Sequence, residues 1–195
     1  NNNEICSLQC IGQESCDNVT LIAYNVSNVN IVCGQDGYES QSMCINIKVS
    51  ITLRDDNSSA NIVCDGNKAC QSGTFMIDTL LSRNTINMDI QCKREDSCRY
   101  SIFTIIGADK INMICNGRYT CYGLTLTQTS LDDTSGLLNI DCIGGYRVCS
   151  DATINGITVK QVNVHCNSNK SDAYACHRLQ VYCPLYPYGF NGITD

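Results

Sequence analysis

Residues 87–106 read NMDIQCKREDSCRYSIFTII, and residues 110–129 read KINMICNGRYTCYGLTLTQT. Each stretch has an alternating run that ends in a cysteine (Cys92, Cys115). A second cysteine follows after five intervening residues (Cys98, Cys121), and then a second alternating run. The unit recurs in both directions along the chain. Its first cysteines are Cys10, Cys33, Cys64, Cys92, Cys115, Cys142 and Cys166, spaced 23, 31, 28, 23, 27 and 24 residues apart. Its second cysteines are Cys16, Cys44, Cys70, Cys98, Cys121, Cys149 and Cys176. Repeats with a period of roughly 20–50 residues mark solenoids and arrays. Seven such units fill almost all of the 195 residues and leave no room for a separate catalytic domain.

Alignment on the first cysteine shows what repeats. Two residues before it stand Leu8, Ile31, Ile62, Ile90, Met113, Ile140 and Val164; four before it stand Cys6, Val29, Ala60, Met88, Ile111, Leu138 and Val162. Between them lie Ser7, Asn30, Asn61, Asp89, Asn112, Asn139 and Asn163. Apolar–polar–apolar alternation is the period of a strand with one buried face. A second strand follows the second cysteine, with Leu21, Val49, Phe75, Phe103, Leu126, Ile154 and Val181 five residues on. Strand, short disulfide-closed corner, strand and variable turn describe one coil of a parallel β-helix, stacking at about 4.8 Å so that equivalent residues form ladders. The expected fold is all-β, a single β-solenoid domain over 1–195 with about seven coils between residues 5 and 183, one disulfide per coil, and a tail at 184–195. The inward columns form its core, and the outward Asn column forms an amide ladder. An array of separate small disulfide modules would not need the alternation.

Sixteen cysteines approach the density of a disulfide scaffold. Zinc sites favour short C-x(2–4)-C pairs, usually with His nearby, whereas here five, six, nine or ten residues intervene and no C-x-x-C occurs. Local disulfides are therefore expected: Cys10–Cys16, Cys33–Cys44, Cys64–Cys70, Cys92–Cys98, Cys115–Cys121, Cys142–Cys149 and Cys166–Cys176. Sequons at Asn18, Asn25, Asn57 and Asn169 add N-glycosylation to the expectation. Sequons together with paired cysteines point to a secreted, extracellular protein. The sequence begins at Asn1 rather than Met, consistent with a removed secretion signal or with a trimmed chain. No apolar run reaches the ~18 residues of a membrane span.

Net charge −6 and a pI near 4.8 argue against nucleic acid as a partner. Candidate catalytic carboxylates are Asp55–Asp56, Asp132–Asp133 and the lone Asp89, and the two pairs fall in variable turns of separate coils. His165 takes an outward strand position and His177 follows a corner. The sequence has no G-x-S-x-G, P-loop or H-E-x-x-H motif. The expectation is no enzyme, no metal and no cofactor. Thr125-Leu-Thr127 supplies an ice-binding Thr-x-Thr once only, and Gly144-Gly145 reads as turn chemistry.

Local pairing leaves Cys6 in the first coil and Cys183 after the last. Both take inward positions, Cys183 in the slot held by Ile51, Ile77 and Ile105 in other coils. A bond between subunits is one reading; the others are two buried free thiols, or Cys6 exchanging with Cys10 or Cys16. The terminal coils carry no charged cap, and residues 184–190 (PLYPYGF) form an aromatic tail. Uncapped coils invite stacking, and a contact between unlike surfaces that does not close generates a filament.

In architecture the chain resembles the right-handed parallel β-helices, the pectate-lyase-like and polygalacturonase-like group, although no GHG, RIK or NTD element of the latter is present. The Cys-x5-Cys coils look like the cysteine-rich β-helix repeats of extracellular structural proteins of single-celled eukaryotes, including the hair-like flagellar appendages called mastigonemes. That resemblance implies a secreted structural protein that stacks head-to-tail on copies of itself, carries N-linked glycans and meets other appendage proteins. The alternative is a monomeric β-helix that binds or cleaves extracellular polysaccharide.

Overall fold

The computed structural model describes residues 4–34, 42–54, 58–79, 86–130, 136–168, 174–183 and 193–194. Fifteen strands follow one another without a helix among these residues: β1 (Ile5–Cys10), β2 (Thr20–Val26), β3 (Asn28–Gly34), β4 (Lys48–Leu53), β5 (Ser59–Asp65), β6 (Thr74–Thr79), β7 (Asn87–Lys93), β8 (Ile102–Ile106), β9 (Lys110–Asn116), β10 (Thr125–Thr129), β11 (Leu137–Gly144), β12 (Thr153–Ile157), β13 (Gln161–Ser168), β14 (Gln180–Tyr182) and β15 (Ile193–Thr194). The odd strands form one parallel sheet of eight in chain order, and the even strands form a second parallel sheet of seven. The chain therefore winds as a parallel β-solenoid of about six turns. Seven corners bound six complete turns, which reconciles the coil count read from the repeat with the turns observed.

Register is in phase throughout the first sheet. Cys10 pairs with Cys33, Cys33 with Cys64, Cys64 with Cys92, Cys92 with Cys115, Cys115 with Cys142 and Cys142 with Cys166. A slip of one residue would turn every inward side chain outward, so the apolar columns themselves hold this register. Ile31, Ile62, Ile90 and Met113 are buried in one column; Val29, Ala60, Met88, Ile111, Leu138 and Val162 are buried in the next. Across the core, Phe75 and Phe103 stack with ring centroids 4.5 Å apart and planes 4° from parallel.

Between the sheets lies a corner whose backbone repeats as regularly as the strands. The second cysteine of every coil is left-handed, with φ between 50° and 57° at Cys16, Cys44, Cys70, Cys98, Cys121, Cys149 and Cys176. Two residues later the chain is left-handed again at Asn18, Asn46, Ser72, Tyr100, Gly123, Asp151 and Arg178. These turns aim the backbone groups along the solenoid axis. The N–H of the second cysteine donates back to the preceding coil, as in Cys98 to Ala69 O (2.9 Å) and Cys121 to Ser97 O (3.0 Å). The N–H two residues on donates forward, as in Ser72 to Arg99 O (2.8 Å) and Tyr100 to Tyr122 O (2.9 Å). The N–H groups that alternate with these close tight turns, such as Arg99 to Asp96 O and Ser101 to Cys98 O. Buried hydroxyls serve further corner carbonyls: Ser97 donates to Cys64 O (2.7 Å) and Thr120 to Arg94 O (2.7 Å).

Coils approach closely at these corners. A Cβ on Gly145 would lie 2.5 Å from Arg118 N, and one on Gly117 would lie 2.6 Å from Arg94 O. Gly145 is thus required for the fit of one coil on the last, a stronger constraint than the turn chemistry read from Gly144-Gly145. The residues read as a tail also contribute structure: β15 pairs Ile193 with Val164 and Thr194 with His165.

Two predictions follow from these positions. Phe103→Ala removes half of a buried stack and should cost about 3–5 kcal/mol; Asn112→Ala on the outer face should cost about 1 kcal/mol, the net worth of a hydrogen bond. Equal shifts in the denaturant midpoints of the two variants would contradict the assigned faces. At the exposed left-handed Lys68 (φ 57°), Lys68→Gly should leave thermal stability unchanged or raised by up to about 1 kcal/mol. Lys68→Val should lower it by more than about 1 kcal/mol, because a β-branched side chain resists that conformation.

Candidate functional site

The cysteines read as local pairs are bonded in the structure: Cys10–Cys16, Cys33–Cys44, Cys64–Cys70, Cys92–Cys98, Cys115–Cys121, Cys142–Cys149 and Cys166–Cys176, with Cα–Cα separations of 5.8 to 6.1 Å. Adjacent corners bring sulfurs into groups of three, Cys10/Cys16/Cys44 and Cys115/Cys121/Cys149. Cysteine binds a metal as its thiolate, and every sulfur in these two groups is held in a disulfide. Cystines in such number suit an oxidising, extracellular or secretory environment. No helix among the described residues is long and apolar enough to cross a membrane.

The outward Asn column forms a side-chain ladder on the first sheet. Asn61 donates to Asn30 (2.9 Å), Asn112 to Asp89 (2.9 Å), Asn139 to Asn112 (3.0 Å) and Asn163 to Asn139 (2.8 Å). Beside it runs an open groove of about 660 Å³, lined by Asp89, Asn112, Asn139 and Asn163 together with Asp141 and His165. His165 Nδ1 lies 3.6 Å from Asp141 Oδ1, and both side chains are about half exposed. Asp89 stands on β7 and Asp141 on β11, with β9 between them, a separation of two strand steps or roughly 9.6 Å along the axis. Asp89 is already engaged by Asn112, so the groove offers hydrogen-bonding amides and one carboxylate–imidazole pair. His177 is exposed at the last corner. Asp55, Asp56, Asp132, Asp133, Asn57 and Asn169 lie outside the described residues. Asn18 and Asn25 are exposed on the first coil, and both are left-handed (φ 58° and 60°). Lys93 and Arg94 face Asp65 at 4.0 and 3.1 Å.

Sequence reasoning missed a stripe on the corner face of the later coils. Tyr100, Tyr122, Tyr119, Tyr146, Tyr174 and His177 form a continuous edge-to-face chain, with centroids 5.5 to 6.1 Å apart. Guanidinium groups lie over the rings: Arg99 over Tyr100 (4.9 Å), Tyr122 and Tyr119, Arg118 over Tyr119 (5.2 Å), and Arg147 over Tyr146 (5.4 Å). The Arg99 pKa is raised above its ordinary value, first by its hydrogen bond with the Tyr100 hydroxyl and then, against desolvation, by Asp96. The Tyr122 hydroxyl is raised by its bond to Asp151 and by burial. Such ring–cation contacts are worth about 0.5–1 kcal/mol each at exposed sites, so the stripe laces neighbouring corners together. The available signal was the recurrence of Tyr and Arg within three residues of the second cysteine from Cys98 onward.

The two ends of the core differ from its middle. Cys6, Leu8, Leu21, Ala23 and Val26 in the first coil are only partly buried, as are Ala175, Leu179, Val181 and Cys183 in the last, whereas Ile31, Ile62 and Phe75 are at most 1% exposed. Cys6 and Cys183 are free thiols. Burial pushes the Cys183 thiol above its ordinary pKa. No protein-family model, characterised protein or solved structure matches this chain.

Because the thiolate is the reactive form, alkylation of Cys183 should rise with pH through a midpoint above the ~8.5 of an unperturbed thiol. Rates of iodoacetamide labelling of the Cys6→Ser chain without reductant, in which Cys183 has no thiol partner and the corner cystines stay closed, read by mass spectrometry, test this. A midpoint at or below that value would contradict the burial seen at Cys183.

Proposed function

We propose that this chain is a secreted structural protein whose coils continue from copy to copy, head to tail, in an extracellular filament or surface appendage. The observation that carries the reading is the open core. The columns sealed in the middle coils end only partly buried at Leu8, Leu21 and Val26 on one side and at Leu179 and Val181 on the other. At the first end the edge strands are β1 and β2; at the other they are β14 and the two-residue β15. Unpaired edges are templates for further pairing, and here each end carries the same columns as the other. An unlike-surface contact of this kind propagates instead of closing. The exposed Asn18 and Asn25 point outward, where glycans coat a fibre without entering its axis.

Light scattering and electron microscopy of the native, purified chain test the reading. Fibres or a concentration-dependent series of multimers are expected, and a monomer of chain-plus-glycan mass at high concentration contradicts it. A second reading, binding of extracellular polysaccharide, is favoured by the groove along the amide ladder. It predicts saturable calorimetric binding of a soluble polysaccharide that Asp89→Asn and Asn139→Ala weaken; heats unchanged by either substitution exclude it.

A further inference from the structure

Cys6 and Cys183 belong to different sheets and different offsets in the repeat, yet the fold brings their columns face to face. Cys6 heads the column Cys6, Val29, Ala60, Met88, Ile111, Leu138, Val162 in the first sheet. Cys183 directly follows β14, whose Asn155–Tyr182 pairing sets it beside Gly156 in the second sheet. A Cβ on Gly156 would lie 2.9 Å from Val162 Cγ2. Gly156 thus lies against Val162 of the strand that follows it, beside the turn residue Val159. By the same repeat Cys183 faces the corresponding position of whichever strand comes next on β13.

In this structure β15 sits there, but it pairs only two residues of β13, Val164 and His165. The strand β1, which pairs all six of its residues with β3, fits the same site. Set on β13 of another copy in the register the repeat uses, β1 places Cys10 beside Cys166, Leu8 beside Val164 and Cys6 beside Val162. Leu8 then completes the half-open apolar column. One carbon–carbon bond beyond the 2.9 Å contact, the facing Cβ atoms are at most about 4.4 Å apart, within the ~3.5–4.5 Å a disulfide spans.

We infer that Cys183 of one copy bonds Cys6 of the next, after β1 of the incoming copy displaces β15 from β13, so that the filament is locked by one disulfide at each junction. This rests on the head-to-tail reading above. Bond formation follows thiol–disulfide exchange. The Cys183 thiolate attacks an oxidised dithiol carrier of the secretory route and forms a mixed disulfide. The Cys6 thiolate of the next copy then attacks the Cys183 sulfur and expels the carrier as its dithiol. Two thiols lose two protons, and two electrons pass to the carrier. A single junction type uses each cysteine once, and the chain of bonds grows in one direction.

Non-reducing denaturing electrophoresis of the native full chain, with peptide mapping of the bands, tests the inference. A ladder that collapses on reduction is expected, with Cys6 and Cys183 peptides joined, and Cys6→Ser or Cys183→Ser alone should abolish every covalent multimer. A covalent dimer that survives Cys183→Ser would show a symmetric Cys6–Cys6 bond and overturn it, as would a monomer band without reductant. The facing columns are tested within one chain by Gly156→Cys/Val162→Cys in a Cys6→Ser/Cys183→Ser background. An intramolecular disulfide is expected, and two free thiols on a folded chain would remove the geometric basis. Light scattering of the native full chain without reductant, which leaves the corner cystines intact, separates the two readings. Multimers that persist without any non-reducing ladder refute the lock and keep the filament, whereas monomers throughout refute both.

Discussion

A chain that reverses direction between two sheets in every coil must satisfy the backbone groups of each reversal, because unpaired buried N–H and C=O groups are costly. Here the corner meets that demand with hydrogen bonds between coils that alternate with tight turns within each coil. Left-handed residues at the second cysteine and two positions later turn alternate N–H groups backward and forward along the axis, so the corner stacks as the strands do. For residues such as Cys98, Tyr100 and Arg178 that conformation costs on the order of 1–2 kcal/mol each. The ladder between coils and the cystine that ties each corner to the end of the preceding strand offset the cost. The cystine also shortens the unfolded ensemble, by about 2–3 kcal/mol per small loop in the chain-entropy view.

The inward and outward columns were legible from sequence because strand periodicity is a two-residue pattern that the repeat prints several times over. Ile31, Ile62, Ile90 and Ile140 could hardly be read otherwise. The seven corners of the repeat, which bound the six turns of the solenoid, were legible in the same way. The corner conformation was not read, although Asn18, Asn46, Gly123 and Asp151 recur at one position, and these residue types tolerate a left-handed backbone. Ser72, Tyr100 and Arg178 at the equivalent position hid the pattern, since tertiary hydrogen bonding there overrides local preference. The aromatic stripe escaped notice for a different reason: Tyr119, Tyr122 and Tyr146 sit at different offsets from their cysteines and meet only when corners stack. β15 lay beyond the last cysteine, where no column remained to align.

Surface chemistry follows from the same geometry. Stacking converts single polar residues into rows: amides on one face, tyrosines and arginines on another. Each row largely satisfies itself, Asn139 between Asn112 and Asn163, and Arg99 among Tyr100, Tyr119 and Asp96. Such rows stiffen a rod and leave few groups to react. The exceptions lie where repetition stops, at the half-buried ends with their two thiols, and for that reason the ends carry the functional interpretation.

Amide hydrogen exchange across the corners tests the stacked corner most directly. The N–H groups of Ser72, Tyr100 and Gly123 each donate to the next coil at 2.8 to 2.9 Å, so they should exchange as slowly as the strand amides of Ile77 and Phe103. Asp17 and Ser15, whose N–H groups close only turns within the first coil, should exchange sooner. Corner amides of the central coils exchanging at the rate of open loops would show that the corners do not stack, and that the sheets alone hold the solenoid.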